Sequence, residues 1–215
     1  MTDELELLKK DWQNKEEHLP KLSYNEIHTM IWKKSSSIVK WILIISILEF
    51  VLPHLMYLVP GASEGAEMYE QLGITNFLLT ISILSYAVTL YFIFQFYKRF
   101  KEISTLDSAK DLMSKIIKTR NTVKYYVIYS LSMAFVIFSV LIGSMYFSEN
   151  LLDIFPPDSD DMVLSPESFR LTIVLMTAAF CTILLIAIGA IYFLLYGLLL
   201  RKLKKNYTEL KKLEV

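Results

Sequence analysis

Among the long apolar stretches of this chain, one carboxyl stands out. Glu49 lies eleven residues past Ile38, where the first apolar run begins. At 1.5 Å per residue that is about 16 Å along a helix, close to the middle of a bilayer. An ionisable group at that depth is costly, and it is by default a candidate functional site. No lysine or arginine is expected beside it, so the carboxyl is expected to be neutral. Pro53 sharpens the position, because it has no N–H for the carbonyl four residues earlier, which is that of Glu49 itself. Ser46 lies one turn before Glu49. Hydroxyls expected at similar depth on other helices are Ser85, Tyr86, Thr89, Ser132, Ser139 and Thr182. The candidate intramembrane polar site is therefore Glu49 and Pro53 with Ser46, Tyr86 and Ser139. Such a group can relay protons or cations, or it can join helices as a neutral hydrogen-bonding carboxyl. His54 is five residues on, about 140° around a helix from Glu49, so the two share no face.

Other chemistries lack their residues. The three histidines, His18, His28 and His54, fall in segments expected at different levels and cannot converge on one metal. There is no P-loop, glycine-rich nucleotide fingerprint or HExxH motif. Asp158-Ser159-Asp160-Asp161 lacks the glycine and terminal glutamate of an EF-hand and reads as a solvated acidic loop. The single cysteine, Cys181, sits in an apolar run and can form no internal disulfide. No catalytic, cofactor-binding or metal-binding residue is assigned.

The elements that would hold Glu49 are membrane helices. Of 215 residues 54% are hydrophobic and 20% charged, and the apolar residues gather in four runs, 38–59, 77–97, 125–147 and 171–200. Each is long enough to cross about 30 Å of hydrocarbon, and the fourth overshoots it. Residues 1–37 are polar, so the first run is expected to act as an uncleaved anchor. Lysine and arginine give the orientation. Residues 1–40, the 98–124 loop and the 201–215 tail together carry 21 of the 22 basic residues. The loops 60–76 and 148–170 are acidic, with Arg170 as their one basic residue. The positive-inside rule then puts both termini in the cytoplasm. The expected fold is all-α: a polytopic four-transmembrane-helix bundle with amphipathic cytoplasmic helices, N-in and C-in. It comprises an N-terminal segment 1–37, a membrane domain 38–200 and a basic tail 201–215.

Local signals mark helix starts. Ser23-Tyr24-Asn25-Glu26 is a capping box, after which one helix is expected to run from the cytoplasm into the first span. Ser165-Pro166-Glu167 combines an N-cap, a proline at the first helical position and a favourable acid. Leu5, Leu8 and Trp12 form a short apolar face, which packs on the protein itself, rests on the membrane or docks in a partner. Leu106, Ala109, Leu112, Met113, Ile116 and Ile117 form a second stripe, so that helix is expected to join spans two and three. Leu203, Tyr207, Leu210 and Leu213 form a third. Ser139 with Gly143, and Ala178 with Thr182, are small-residue pairs suited to close helix contact. Val39-Lys40-Trp41 with Ser46 repeats faintly as Val123-Lys124-Tyr125 with Ser130.

The opening residues Asp3–Trp12 and the stretch Lys33-Lys34-Ser35-Ser36-Ser37-Ile38-Val39-Lys40-Trp41 resemble a family of uncharacterised four-span membrane proteins of flavobacteria and related bacteria. The resemblance implies a bacterial inner-membrane location and adds no catalytic residues. Some members bear the label beta-carotene monooxygenase. Oxygenases of that kind hold iron with four histidines, and three that cannot meet do not supply them. The expected function is a non-enzymatic membrane scaffold or regulator, embedded in the lipid bilayer and binding a protein partner through its cytoplasmic helices. The alternative is a small homo-oligomeric proton or cation transporter or channel centred on Glu49. Nothing points to nucleic acid or a cofactor.

Overall fold

The computed structural model describes residue 6 and residues 23–56, 64–104, 108–149, 151–155 and 165–213. The regular elements in these stretches are all helical: α1 (Tyr24–Met56), α2 (Glu64–Gln71), α3 (Thr75–Ser104), α4 (Ala109–Phe147), α5 (Leu151–Ile154), α6 (Pro166–Tyr192), a π-helical turn (Phe193–Gly197) and α7 (Leu198–Leu213). Four helices are long and apolar enough to cross a membrane, the fourth being α6 continued through the π turn into α7. Leu5, Leu8, Trp12, Leu106 and the 158–161 acidic loop lie outside the described residues.

The helix starts follow local chemistry. The Ser23 amide and hydroxyl both donate to the Glu26 carboxylate, at 2.7 and 2.8 Å, and the Glu26 amide returns a 3.3 Å bond to Ser23 Oγ. This reciprocal box satisfies donors that the first turn leaves without partners. It starts α1, which then runs unbroken through Pro53. Ser165 caps α6 by accepting from the Ser168 amide. Ser108 caps α4 by accepting from the Asp111 amide. That third cap changes the expectation for the 98–124 loop. Its apolar stripe belongs to the first turns of α4, and α3 ends separately at Ser104. Between α2 and α3, Gly73 takes φ of +70°, which glycine adopts without steric cost, and its amide caps the Glu70 carbonyl.

α1 packs along α3, α3 on α4, and α4 on α6. α7 closes the ring against α1 and α4, whereas α1 and α6 make no extensive contact. The bundle is thus closed at the end that carries the lysines, here the basic end.

The larger core lies at the basic end. Ile31, Val39 and Ile42 of α1 meet Phe96 and Ile103, Leu112, Ile116 and Val123, and Leu203 and Leu210. Ile117, at the edge of the α4 stripe, stays exposed. The Asn206 amide donates to Ser35 Oγ at 2.9 Å, a buried bond between α7 and α1. Trp32 Nε1 donates to the Ile103 carbonyl at 2.7 Å, and Lys115 Nζ donates to the Glu102 carbonyl at 2.7 Å. A smaller cluster at the acidic end gathers Leu72, Ile74, Met145, Leu151 and Val174. The faint repeat has matching environments. Val39 and Val123 are both fully buried, and Trp41 and Tyr125, each beside a lysine, are both exposed.

Candidate functional site

The carboxyl of Glu49 is held by two tyrosines from distant parts of the chain. Tyr126 Oη donates to Glu49 Oε2 at 2.6 Å, and Tyr196 Oη donates to the same oxygen at 3.1 Å. One oxygen thus accepts two bonds, as the carbonyl oxygen of a neutral carboxylic acid can through its two lone pairs. No hydrogen bond to Oε1 occurs among the described residues. Oε1 is the carboxyl oxygen to which neither tyrosine donates. Glu49 is itself only partly buried.

Three elements position this triad. α1 supplies the acid, α4 supplies Tyr126, and the π turn supplies Tyr196. Both tyrosines are almost fully buried, at 3% and 1% exposed. Tyr192 stacks on Tyr196 with centroids 5.8 Å apart. The Tyr126 ring meets the edges or faces of Phe92, Phe96, Tyr192 and Tyr196 within 5.4–6.3 Å. An aromatic box of this kind holds the hydroxyls in fixed geometry and keeps most competing water away. A π turn fits one extra residue into the helix, and such turns occur often at functional positions. Here the residue it presents to Glu49 is Tyr196.

The acid that the sequence singles out is held by partners that the sequence does not select. Ser46 is buried one turn below and donates to the Leu43 carbonyl at 2.8 Å. Pro53 lies inside α1. Tyr86 packs instead against the rings of Phe50 and His54, at 5.9 and 5.0 Å. His54 Nδ1 is 2.7 Å from the Phe50 carbonyl. Ser139 is exposed and donates to the Phe135 carbonyl of its own helix. The bonds that Glu49 accepts come from Tyr126 and Tyr196, neither of which the depth count selects. That count measures along α1 alone. Tyr126 lies two residues from Lys124 and Tyr196 five from Arg201, about 3 and 8 Å along their helices. The carboxyl therefore sits nearer the basic end than the count from Ile38 places it. The signal that points to these partners is tyrosine spacing. Tyr125, Tyr126 and Tyr129, and Tyr192 and Tyr196, put phenol hydroxyls about one turn apart in largely apolar helices.

Towards the acidic end the interior turns apolar. Cys181, Val174 and Met145 are buried there. Thr80, Ser144 and Thr182 each donate to a carbonyl of their own helix. Tyr129 reaches Ser85 Oγ at 3.2 Å, on the α3 side. The described residues form no continuous polar path from Glu49 to the acidic end. They also contain no group of three or more histidine, cysteine, aspartate or glutamate side chains placed to hold a metal ion.

No curated protein and no solved structure matches this chain. The family model of DUF8845, a domain of unknown function, matches residues 25–215, from the first turn of α1 to the last residue. The match spans the whole helical bundle with Glu49 and both of its tyrosine partners, and the chain belongs to that family.

Proposed function

We propose that this is a non-enzymatic scaffold or regulator of the bacterial inner membrane, spanning it four times with both termini in the cytoplasm. In this reading it binds a protein partner through the basic-end bundle. The observation that carries the reading is where the chain spends its extra length. A crossing needs about 20 residues. α1 has 33 and α4 has 39, and the fourth helix continues for 16 more residues as α7. The surplus lies at the basic end and builds the larger core of the protein. A simple anchor needs no such module. Its surface displays Lys33, Lys110, Lys118 and Lys211, and it exposes Tyr24, Met30 and Ile117. That surface suits an acidic partner with a small apolar contact.

Glu49 supports the regulatory half of the reading. It ties α1 to α4 and to the π turn, and these helices continue into the bundle. Proton exchange at Oε1 then acts on a joint between the membrane part and the cytoplasmic part. The alternative, a proton or cation path through an oligomer, is favoured by that same free oxygen. It is disfavoured by the apolar interior beyond it.

Crosslinking in membranes followed by purification in mild detergent tests the proposal. A stoichiometric protein partner is expected, lost on combining Lys110→Glu with Lys118→Glu or on deleting residues 1–20. Recovery of no stoichiometric partner from wild type refutes it. Proton flux in liposomes that Glu49→Gln abolishes would establish the alternative instead.

A further inference from the structure

At the basic end, α1 and α7 enclose a cleft of about 350 Å³, lined by Lys34, Ser37, Lys202, Lys205, Asn206 and Glu209. Three lysines and one carboxylate thus line it, and that carboxylate is 3.8 Å from Lys205. The cleft therefore has net positive charge. Its place along the helices is specific. Lys34, Ser37 and Trp41 follow at spacings of three and four on α1, so they share a face. Lys202 is the residue after Arg201, and Arg201, Lys40 and Lys124 each stand at the basic-end edge of an apolar run.

Above the lysines the walls become apolar and stay open. Trp41 is 56% exposed, and Leu48 and Leu52 continue the exposed strip up α1. Leu198, one turn above Lys202, is exposed on α7. α1 and α6 make no extensive contact, and the strip of Trp41, Leu48 and Leu52 stays exposed beside them. A site that is cationic at the bottom, with an indole at the boundary and aliphatic walls above, has the polarity profile of a phospholipid. Lysines at the bilayer surface attract anionic headgroups, and tryptophan favours that interface.

We infer that this cleft binds an anionic phospholipid. Its phosphate sits among Lys34, Lys202 and Lys205, Ser37 donates to a headgroup oxygen, and an acyl chain lies along Trp41, Leu48 and Leu198. A soluble phosphate would use the same three lysines but gain nothing from the apolar walls. The inference rests on the four helices lying in a bilayer with the basic ring at its surface, and it does not depend on a protein partner.

Native mass spectrometry of the full chain in mild detergent, titrated with phosphatidylglycerol or phosphatidylcholine, tests it. Phosphatidylglycerol is expected to be retained and phosphatidylcholine not. Combining Lys34→Gln, Lys202→Gln and Lys205→Gln should weaken retention at least about tenfold. The charge-matched control Lys33→Gln, Lys204→Gln and Lys211→Gln should weaken it less than about threefold, since those lysines lie outside the cleft. Ser37→Trp, which fills the cleft and keeps every charge, should also abolish retention. Equal loss in the two triple variants would reduce the effect to net charge and overturn the inference. So would full retention in Ser37→Trp, or displacement of the lipid by millimolar inorganic phosphate.

Discussion

Replacing Glu49 by leucine removes the one acceptor shared by two buried tyrosines. Tyr126 and Tyr196 are 3% and 1% exposed, so neither hydroxyl has ready access to water once the carboxyl is gone. A buried hydroxyl without a partner costs about 1–3 kcal/mol. Hydrogen bonds between membrane helices average nearer 0.6 kcal/mol, because freed groups find other partners. The aromatic box around Tyr126 limits such rearrangement, so Glu49→Leu should cost about 2–4 kcal/mol in total. Glu49→Gln keeps a carbonyl oxygen where Oε2 lies and should cost less than about 1 kcal/mol. Tyr126→Phe and Tyr196→Phe should each cost about 1 kcal/mol in the wild-type background, and regain stability in the leucine background by removing the unpaired hydroxyls. Reversible unfolding in mixed micelles, or thermal unfolding in detergent, measures all six variants. If Glu49→Leu and Glu49→Gln unfold alike, and the phenylalanine substitutions add independently to the leucine one, the triad is not an energetic unit. The joint proposed between the membrane part and the bundle then fails with it.

Three further outcomes are expected. Asn206→Leu should destabilise by about 1–2 kcal/mol, because it leaves the buried Ser35 hydroxyl without its 2.9 Å partner; adding Ser35→Ala should recover part of the loss in the same unfolding assay. Leu210→Ala and Ile116→Ala, both in the basic-end core, should each cost about 2–5 kcal/mol. Ile117→Ala, on the exposed edge of the same stripe, should stay within about 0.5 kcal/mol. The Glu26 carboxyl should titrate below the ordinary glutamate range, held there first by the Ser23 amide and then by the Ser23 hydroxyl. Its support for the start of α1 is therefore present above the unfolded-state value and lost as pH falls through the lowered folded value. Carbon-detected NMR of the side chain reads this titration directly. Ser23→Ala should move it only part of the way back, since the amide donor remains.

The parts of this fold legible in the sequence are those set by neighbouring residues. The Ser23–Glu26 box and the Ser165 cap depend on three consecutive peptide units, and the structure has both. The four apolar helices follow from composition over twenty residues. The partners of Glu49 depend on contacts across 77 and 147 residues, and these are set by how far each helix slides past the others. That slide is fixed by the basic-end core, where the first residues of α1 meet α4 and α7, and no count along one helix contains it. The small-residue pairs fail for a related reason. An added Cβ at Gly143 would meet nothing within 4 Å, and Ser139 and Thr182 are exposed. Spacing alone does not tell which face of a helix turns inward.

The π turn gives the fourth helix two phases. An α-helix rotates about 100° per residue, so one residue absorbed in a wider turn leaves everything after it lagging by roughly that angle. The residues of α6 that face α4 and the residues of α7 that face α1 then belong to two wheels instead of one. The apolar half and the basic-end half of a single rod are aimed independently, with Tyr196 and Glu49 at the splice. Deleting one residue between Phe193 and Gly197 would bring the two wheels into step. The turn would then close as ordinary α-helix, with Leu203, Asn206 and Leu210 still facing their partners and only the presentation of Tyr196 to Glu49 disturbed.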